Sequence, residues 1–306
     1  MTAIRLLPQH AATSGQKFAD YAVLAKAKLS LLVLVTVATG YFVAVRSGAA
    51  SFDWPALVGA MLGVALSAAG SAALNQYLER EFDALMDRTR QRPLPAGRMR
   101  PERALVFGLV CIVVGIVALN WLAGTLCAFL GVISVVTYVA IYTPLKRVTT
   151  FNTLVGAVTG ALPPMIGWAA ATGSVDDGAW MLFGILFVWQ LPHFFAIAWL
   201  YREDYAKAGM RMLGVIDPDG RIAMRQILLC SMVMVPMSLM PAVTGLTGQV
   251  YFHAALVLGA ALVFFGARLV TNRTPAQARQ LFVASLVYLP CLLGFLLLDL
   301  PGAVLS

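Results

Sequence analysis

Residues 56–93 read ALVGAMLGVALSAAGSAALNQYLEREFDALMDRTRQRP, a long apolar run that ends in a dense group of charges. The run does not alternate between polar and apolar residues. As a helix it is long enough to cross about 30 Å of hydrocarbon, so it predicts a membrane-spanning helix. Charged side chains next to lipid are energetically unfavourable, so a group of them at the end of a span indicates a functional site.

The rest of the chain has the same apolar character. Its 306 residues are 60% hydrophobic and 12% charged, whereas a soluble domain carries about 25% charge. The mean hydropathy is +0.82. We therefore predict an all-α integral membrane protein, a bundle of nine transmembrane helices with cytoplasmic active-site loops. The predicted spans are 29–46, 55–78, 104–121, 124–142, 152–172, 179–200, 226–245, 251–270 and 280–298.

The basic residues predict the orientation of the bundle. Of the 22 Lys and Arg residues, 21 fall in one alternating set of segments, and only Arg46 lies on the other side. The positive-inside rule then places the N terminus and these segments in the cytoplasm, for a multi-pass protein of a bacterial-type inner (plasma) membrane. The basic residues are spread among loops, which argues against a nucleic-acid partner. The basic segments are 1–28, 79–103, 143–151, 201–225 and 268–279.

This pattern also divides the chain into three parts. We expect a cytoplasmic N-terminal segment at 1–28, a single nine-helix domain at 29–298 and a short C-terminal tail at 299–306.

The charged end of the second span has a regular spacing. Asn75, Glu79 and Asp83 are four residues apart, so they share one face of a helix, and Asp87 lies at its edge if the helix continues. Oxygen donors of this kind suit Mg²⁺, and the arginines that follow suit a phosphate. The alternative is a polar helix end with ordinary ion pairs, which are worth little. Solvation alone does not explain an amide and two acids on one face of a membrane helix.

This pattern, followed by Arg88-Thr89-x-x-Arg92-Pro93-Leu94, resembles the first motif of the UbiA superfamily of intramembrane prenyltransferases. The resemblance implies nine transmembrane helices, a prenyl diphosphate substrate and Mg²⁺ as cofactor. The implied metal ligands are Asn75, Glu79, Asp83 and Asp87, and the implied catalytic residues are Asn75, Glu79, Asp83, Arg88, Arg92, Lys146 and Arg147.

Three other segments resemble the branch of that superfamily whose acceptor is heme. They begin at Tyr21, Tyr142 and Pro192, and in the first of them Ala27 stands where the branch usually has proline. The resemblance implies farnesyl transfer from farnesyl diphosphate to a vinyl group of heme b, which is then a substrate and not a cofactor. It also implies the lipid bilayer and a heme A synthase or oxidase assembly factor as partners. The implied substrate-binding residues are Lys26, Lys28, Tyr142, Asn152, His193, Arg202, Asp204, Tyr205 and Lys207.

The chain departs from the superfamily at one place. A second pair of aspartates is usual after span six, but Tyr201 and Tyr205 stand there, with Glu203 and Asp204 between them. This departure argues against a symmetric two-metal site and against the first alternative, a prenyltransferase acting on an aromatic quinone precursor. A polytopic transporter is the second alternative. It would need polar residues throughout the membrane depth, whereas here they cluster at one end.

His193 lies within span six, near its predicted cytoplasmic end. A neutral imidazole there could ligate heme iron, contact a propionate or act in proton transfer, or it could only hydrogen-bond a neighbouring helix. The sequence leaves these roles open.

Overall fold

The computed structural model describes residues 14–300. The first 13 residues of the predicted N-terminal segment and the last six of the predicted tail lie outside this range. In chain order the helices are α1 Ser14–Leu24, α2 Ala27–Arg46, α3 Trp54–Asp83, α4 Pro101–Ala118, α5 Thr125–Val136, α6 Thr143–Leu145, α7 Asn152–Thr172, α8 Asp177–Leu200, α9 Arg202–Lys207, α10 Leu213–Ile216, α11 Arg221–Val243, α12 Gln249–Asn272 and α13 Pro275–Leu298. Two π-helical segments, Leu119–Ala123 and Thr137–Tyr142, extend α4 and α5.

Nine spans in residues 14–300 are long and apolar enough to cross a membrane. They are α2, α3, α4 and α5 with their π-helical extensions, α7, α8, α11, α12 and α13. The described range contains no β-strand. The predicted fold class, an all-α bundle of nine transmembrane helices, is confirmed for this part of the chain.

Helix α3 carries the charged stretch. It begins with Pro55 in its first turn, where a missing N–H costs no hydrogen bond, and it continues without a break for 30 residues to Asp83. The predicted span ended at residue 78, where the apolar run stops. The helix continues beyond that point, so the side chains of Glu79 and Asp83 stay in register with Asn75.

Helices α3, α7 and α8 form the centre of the bundle, and most of their residues are buried. Helix α2 packs along α7, and α4 packs along α3. Helices α11 and α13 pack against α8, and α12 packs against α11 and α13. Glycines permit the closest approaches. A Cβ on Gly167 would overlap the Val37 carbonyl, and a Cβ on Gly40 would overlap the Pro164 carbonyl, so α2 and α7 meet backbone to backbone.

Three loops meet at one end of the bundle. We call this the basic end, and it consists of residues 84–100, 146–151 and 201–220. The Lys146 carbonyl accepts a hydrogen bond of 2.7 Å from the Arg211 N–H, which joins the second loop to the third. Helix α3 ends at the first of these loops, and its last turns contact basic side chains of the first and second loops.

Candidate active site

The last two turns of α3 present three polar side chains on one face. Asn75, Glu79 and Asp83 are 1%, 7% and 1% exposed, so this face points into the bundle. A buried carboxylate is unfavourable unless a cation and hydrogen bonds compensate it. The partners of these side chains therefore define the site.

Each buried carboxylate has a cation from another part of the chain. Lys146 Nζ lies 2.8 Å from Glu79 Oε1 and 3.0 Å from Oε2. Arg92 Nη1 lies 2.7 Å from Asp83 Oδ2. Burial alone would lower the pKa of Lys146, but the oxygens of Tyr142 and Glu79 outweigh burial and hold that pKa above its ordinary value. Each of the two carboxylates thus lies beside a cationic side chain that is held in place.

Hydrogen bonds to a hydroxyl orient the Asn75 amide. Thr143 Oγ1 donates its proton to the Tyr138 carbonyl at 2.8 Å, so it must accept from Asn75 Nδ2 at 3.1 Å. The amide oxygen then faces Lys26, whose Nζ lies 3.4 Å away. Lys26 Nζ also donates to the Tyr138 hydroxyl at 3.0 Å. The oxygen of Asn75 is therefore turned toward Lys26.

Two unusual backbone conformations support this arrangement. Lys26 joins α1 to α2 with φ of 48°, a left-handed conformation that a residue with a side chain adopts at some energetic expense. The π-helical segment 137–142 contributes Tyr138 and Tyr142, whose rings lie 5.4 Å apart. Lys146 Nζ lies 4.5 Å from the centre of the Tyr142 ring. Strained residues and π-helical turns are both frequent at functional sites.

A cavity of about 290 Å³ adjoins this face of α3. It lies among α2, α3, α5, α7, α8 and α13, and Lys26 and Tyr138 form part of its wall. The wall is mostly apolar and contains a few polar side chains. These include Ser67, Ser71, Thr159, Gln190 and His193. An apolar chamber with cations and carboxylates beside it can hold an amphiphilic ligand, with its tail inside and its charged head at the basic end.

Asp87 does not join the buried acids. The helix ends at Asp83, so Asp87 lies in the following loop with its side chain 58% exposed. It pairs there with Lys207 at 2.6 Å and with Arg90 at 3.5 Å. The hydrogen bond from Lys207 lowers the pKa of Asp87 below its usual value. The expected edge position would have required at least one more turn of helix.

Arg88 links two of the loops at the basic end. Its guanidinium lies 4.9 Å from the centre of the Tyr201 ring and 5.8 Å from that of Tyr205, and its backbone N–H donates to Asp204 at 3.3 Å. Lys207 approaches Asp204 at 3.6 Å. The two tyrosines thus hold a cation, which is a cation–π arrangement and not a carboxylate site.

Three other predicted site residues face away from the buried acids. Arg147 stacks on the Phe82 ring at 4.2 Å, and Arg202 stacks on the Trp199 ring at 4.5 Å. Lys28 is exposed on α2. These cations contribute positive charge to the basic end without touching Glu79 or Asp83.

Asn152 joins loops. Its Nδ2 donates to the Thr149 carbonyl at 2.6 Å and to the Arg211 carbonyl at 3.4 Å. The buried amide therefore fixes the start of α7 against the 201–220 loop.

Sequence reasoning missed Tyr138, Thr143 and Ser285. Tyr138 and Thr143 bond Lys26 and Asn75, and Ser285 Oγ lies 2.8 Å from His193 Nδ1. Thr143 belongs to the segment that begins at Tyr142, but nothing in the sequence indicates which atom either hydroxyl contacts. Ser285 stands alone in an apolar run and gives no signal.

The set of acids is small. Between residues 14 and 300, no three His, Cys, Asp or Glu side chains come close enough to hold a metal ion by themselves. Any ion at the buried face must therefore be completed by the Asn75 oxygen, by water or by substrate.

A helical membrane bundle with paired carboxylates and cations beside an apolar cavity defines an intramembrane enzyme for an amphiphilic anion. The chain matches the model of the UbiA prenyltransferase family over residues 33–292, and it belongs to that family.

Relatives named protoheme IX farnesyltransferase resemble the chain over most of its length. One from Solibacter usitatus is 43% identical over 290 residues, which cover 92% of this chain and 99% of the relative. One from Salinibacter ruber is 42% identical and covers 92% of this chain and 98% of the relative. The mitochondrial protein of Homo sapiens is 38% identical, over 90% of this chain and 60% of the human protein.

Solved structures have the same fold. A structure of digeranylgeranylglyceryl phosphate synthase aligns with a TM-score of 0.76 at 15% identity, covering 92% of this chain and 98% of the other. A UbiA homolog from Archaeoglobus fulgidus, bound to GPP and Mg²⁺, aligns with a TM-score of 0.65 at 14% identity, covering 90% and 99%. At these identities the likeness establishes the fold only.

Proposed function

We propose that this protein transfers a farnesyl group from farnesyl diphosphate to a vinyl group of heme b (protoheme IX), releases diphosphate and forms heme O for terminal oxidase assembly. One observation carries the proposal. The buried Asn75, Glu79 and Asp83 face of α3 meets Lys26, Lys146 and Arg92, three cations from separate segments of the chain, beside an apolar cavity. The named relatives supply the acceptor, because they cover almost the whole chain.

The substrate would divide between the two parts of the site. The farnesyl chain would occupy the apolar cavity, since burying each CH₂ group stabilises it by about 0.8 kcal/mol. The diphosphate would lie at the basic end, where Lys26, Lys146 and Arg92 already surround the α3 face. Arg88 is held nearby by Tyr201 and Tyr205 and is a further phosphate partner.

The buried residues fit one Mg²⁺ ion. Such an ion usually takes one or two carboxylates and completes its octahedron with water and substrate phosphate. Glu79 and Asp83 supply the carboxylates, and the Asn75 oxygen faces the same side because Thr143 fixes the amide. Asp87 is outside this set. When bound, the ion would supply positive charge to the departing diphosphate.

Cleavage of the farnesyl C–O bond moves negative charge onto the diphosphate. Lys146 and Arg92 are positioned before the reaction, so their attraction grows as that charge develops and favours the transition state over the bound substrate. The allylic cation that remains lies against mostly apolar side chains, which exclude water.

The vinyl group of heme b then supplies the electron pair for the new C–C bond. The positive charge moves to the vinyl carbon next to the porphyrin ring. Water adds there and loses a proton, which gives the hydroxyethylfarnesyl group. The bond broken is the C–O bond to diphosphate, and no oxidant or reductant is needed.

We also propose that the basic end faces the cytoplasm, in a bacterial-type inner membrane, and that residues 29–298 act as one domain. The positive charge of the loops supports this orientation. A heme A synthase or oxidase assembly factor would receive the product. Cysteine labelling from outside intact cells tests the orientation. Cysteines introduced in the 84–100 loop should stay unlabelled, and cysteines introduced in the 47–53 loop should react. The opposite result would reverse the proposed orientation.

The reaction itself is tested with purified protein, farnesyl diphosphate, heme b and Mg²⁺, followed by mass analysis of the porphyrin. We expect heme with an added hydroxyethylfarnesyl group, loss of the product with EDTA and recovery with excess Mg²⁺. Unmodified heme beside a prenylated aromatic quinone precursor would favour the alternative acceptor. Unchanged product formation in the presence of EDTA would show that the reaction does not require a metal ion.

A further inference from the structure

The hydrogen bonds of His193 fix its tautomer. Ser285 Oγ lies 2.7 Å from the Phe282 carbonyl, to which it donates its only proton. The same oxygen lies 2.8 Å from His193 Nδ1, so it must accept there. Nδ1 therefore carries the proton, and the lone pair of the imidazole is on Nε2.

The Nε2 lone pair has no partner among the described residues. His193 lines the cavity that also contains Lys26 and Tyr138. Within residues 14–300, Nε2 accepts no hydrogen bond, and it is not among the enclosed polar atoms that lack a partner. Nε2 is therefore not enclosed by protein, and it is available to a ligand in the cavity that His193 lines.

Aromatic rings hold the imidazole in this orientation. The Trp189 ring lies 5.2 Å from it at 24°, and the Phe282 ring lies 5.0 Å away at 34°. Trp189 Nε1 donates to the Ser285 carbonyl at 2.8 Å, so α8 and α13 are joined at the same turn. An imidazole with a bonded Nδ1–H, a clamped ring and an open Nε2 is the form in which histidine binds a metal.

We infer that His193 Nε2 binds the iron of the acceptor porphyrin, and that Ser285 is the positioning residue that fixes its tautomer. This inference rests on the proposed function, which supplies an iron porphyrin as substrate. The lone pair repels an ionised propionate, because a carboxylate has no proton to donate, whereas a Lewis-acidic iron accepts it. Binding forms one Fe–N bond and changes no oxidation state. One iron ligand in the cavity wall would hold the porphyrin plane at a fixed place relative to the farnesyl diphosphate.

The test is heme titration of the full-length protein in detergent, without farnesyl diphosphate, followed by absorption and resonance Raman spectra. Wild type should bind heme b with a histidine-ligated spectrum and an iron–histidine stretch in the ferrous form. His193→Ala should lose both and bind heme about 100-fold more weakly. Added imidazole should restore the spectrum of His193→Gly. Ser285→Ala should keep the ligand but shift the stretch and weaken binding about 10-fold.

Two controls separate iron binding from a packing role. His253→Ala removes an exposed histidine on α12 and should leave the spectrum unchanged. Metal-free protoporphyrin IX has the same shape without iron, so its affinity should be equal in wild type and His193→Ala. Equal losses of affinity for both porphyrins would assign His193 to packing or proton transfer and overturn the inference. An unchanged heme spectrum in His193→Ala would overturn it too, and heme O production by wild type would show that the proposed function still stands. Failure of wild type to bind heme at all would overturn the proposed function as well.

Discussion

The basic end holds two carboxylate–lysine pairs with nearly the same geometry and different surroundings. Glu79 and Lys146 are 2.8 Å apart, with side chains 9% and 10% exposed. Asp87 and Lys207 are 2.6 Å apart, with side chains 58% and 52% exposed. The shorter contact is the one in water. Distance alone therefore does not distinguish the two pairs, whereas burial does, and we propose the buried pair as the functional one.

The physical reason is the loss of hydration. A buried pair has given up water on both ions, and its charges act on a ligand through a medium of low dielectric constant. The exposed pair keeps its water and is screened by salt over about 10 Å. The first arrangement can orient and stabilise a diphosphate, while the second can only adjust the loop surface.

Removing a buried carboxylate should have the largest effect. Glu79→Gln and Asp83→Asn each keep the side-chain shape but leave a cation at the α3 face without its counter-ion. We expect prenyl transfer to fall by about 10²–10³-fold and thermal stability to fall by about 3 kcal/mol, because an uncompensated buried charge remains. The measurements are the rate of heme O formation and a detergent-based thermal shift.

The double variant Glu79→Gln/Lys146→Met separates the two effects. Removing both charges should recover much of the stability and none of the activity. Full activity in the single variants would contradict the site, while recovery of activity in the double variant would show that Glu79 serves only to hold Lys146.

Lys146→Met should come second. The stem of the side chain is retained and only the ammonium group is lost, so transfer should fall by about 10²-fold, mainly in kcat. Arg147→Met is the matched control, because Arg147 stacks on Phe82 and does not reach Glu79. We expect it to lose less than about 5-fold in rate. An equal loss in both variants would mean that only the net charge of the basic end matters.

Thr143→Val should have a moderate effect. It removes the hydroxyl that accepts from Asn75 Nδ2, so the amide can rotate and its oxygen no longer faces Lys26 permanently. We expect about a 10-fold loss of rate and weaker Mg²⁺ binding, measured as a higher Mg²⁺ concentration for half-maximal rate. Thr150→Val, in the neighbouring loop, should behave as wild type. Unchanged Mg²⁺ dependence in Thr143→Val would exclude Asn75 as an oriented ligand.

Asp87→Asn should have the smallest effect. The lowered pKa of Asp87 means that its pair with Lys207 is complete above the ordinary aspartate value and is lost only as pH falls through the lowered pKa. Above about pH 5 the pH–rate profiles of wild type and Asp87→Asn should therefore coincide, with rates within about 2-fold. A loss of rate as large as that of Asp83→Asn would indicate that Asp87 is a metal ligand.

The contrast between these pairs shows how far the sequence could predict the site. The spacing of Asn75, Glu79 and Asp83 predicted one helix face, and the structure shows that face buried. The same spacing extended to Asp87, but the helix stops one turn earlier. No local pattern in residues 84–90 distinguishes the two outcomes, because the loop conformation depends on contacts with Lys207 and Asp204 more than 100 residues away.

The sequence also could not predict which side chains contact each other across the bundle. The Lys146–Glu79 pair joins positions 67 residues apart, and the bond from His193 to Ser285 joins positions 92 apart. The resemblance implies Lys146 as a catalytic residue but does not indicate its partner. Its position against a buried carboxylate follows from the π-helical segment 137–142, which the apolar sequence gave no reason to expect.

The sequence by itself determined the spans, because hydrophobic length and the need to satisfy every backbone hydrogen bond in lipid allow few alternatives. It also determined that the acids and amide of α3 share a face, since helix periodicity is a local property. Only the tertiary structure decided which charges are buried, which cation meets which carboxylate, and which nitrogen of His193 bonds Ser285. Those outcomes depend on side-chain packing between distant helices, and desolvation turns such packing into differences in electrostatic energy.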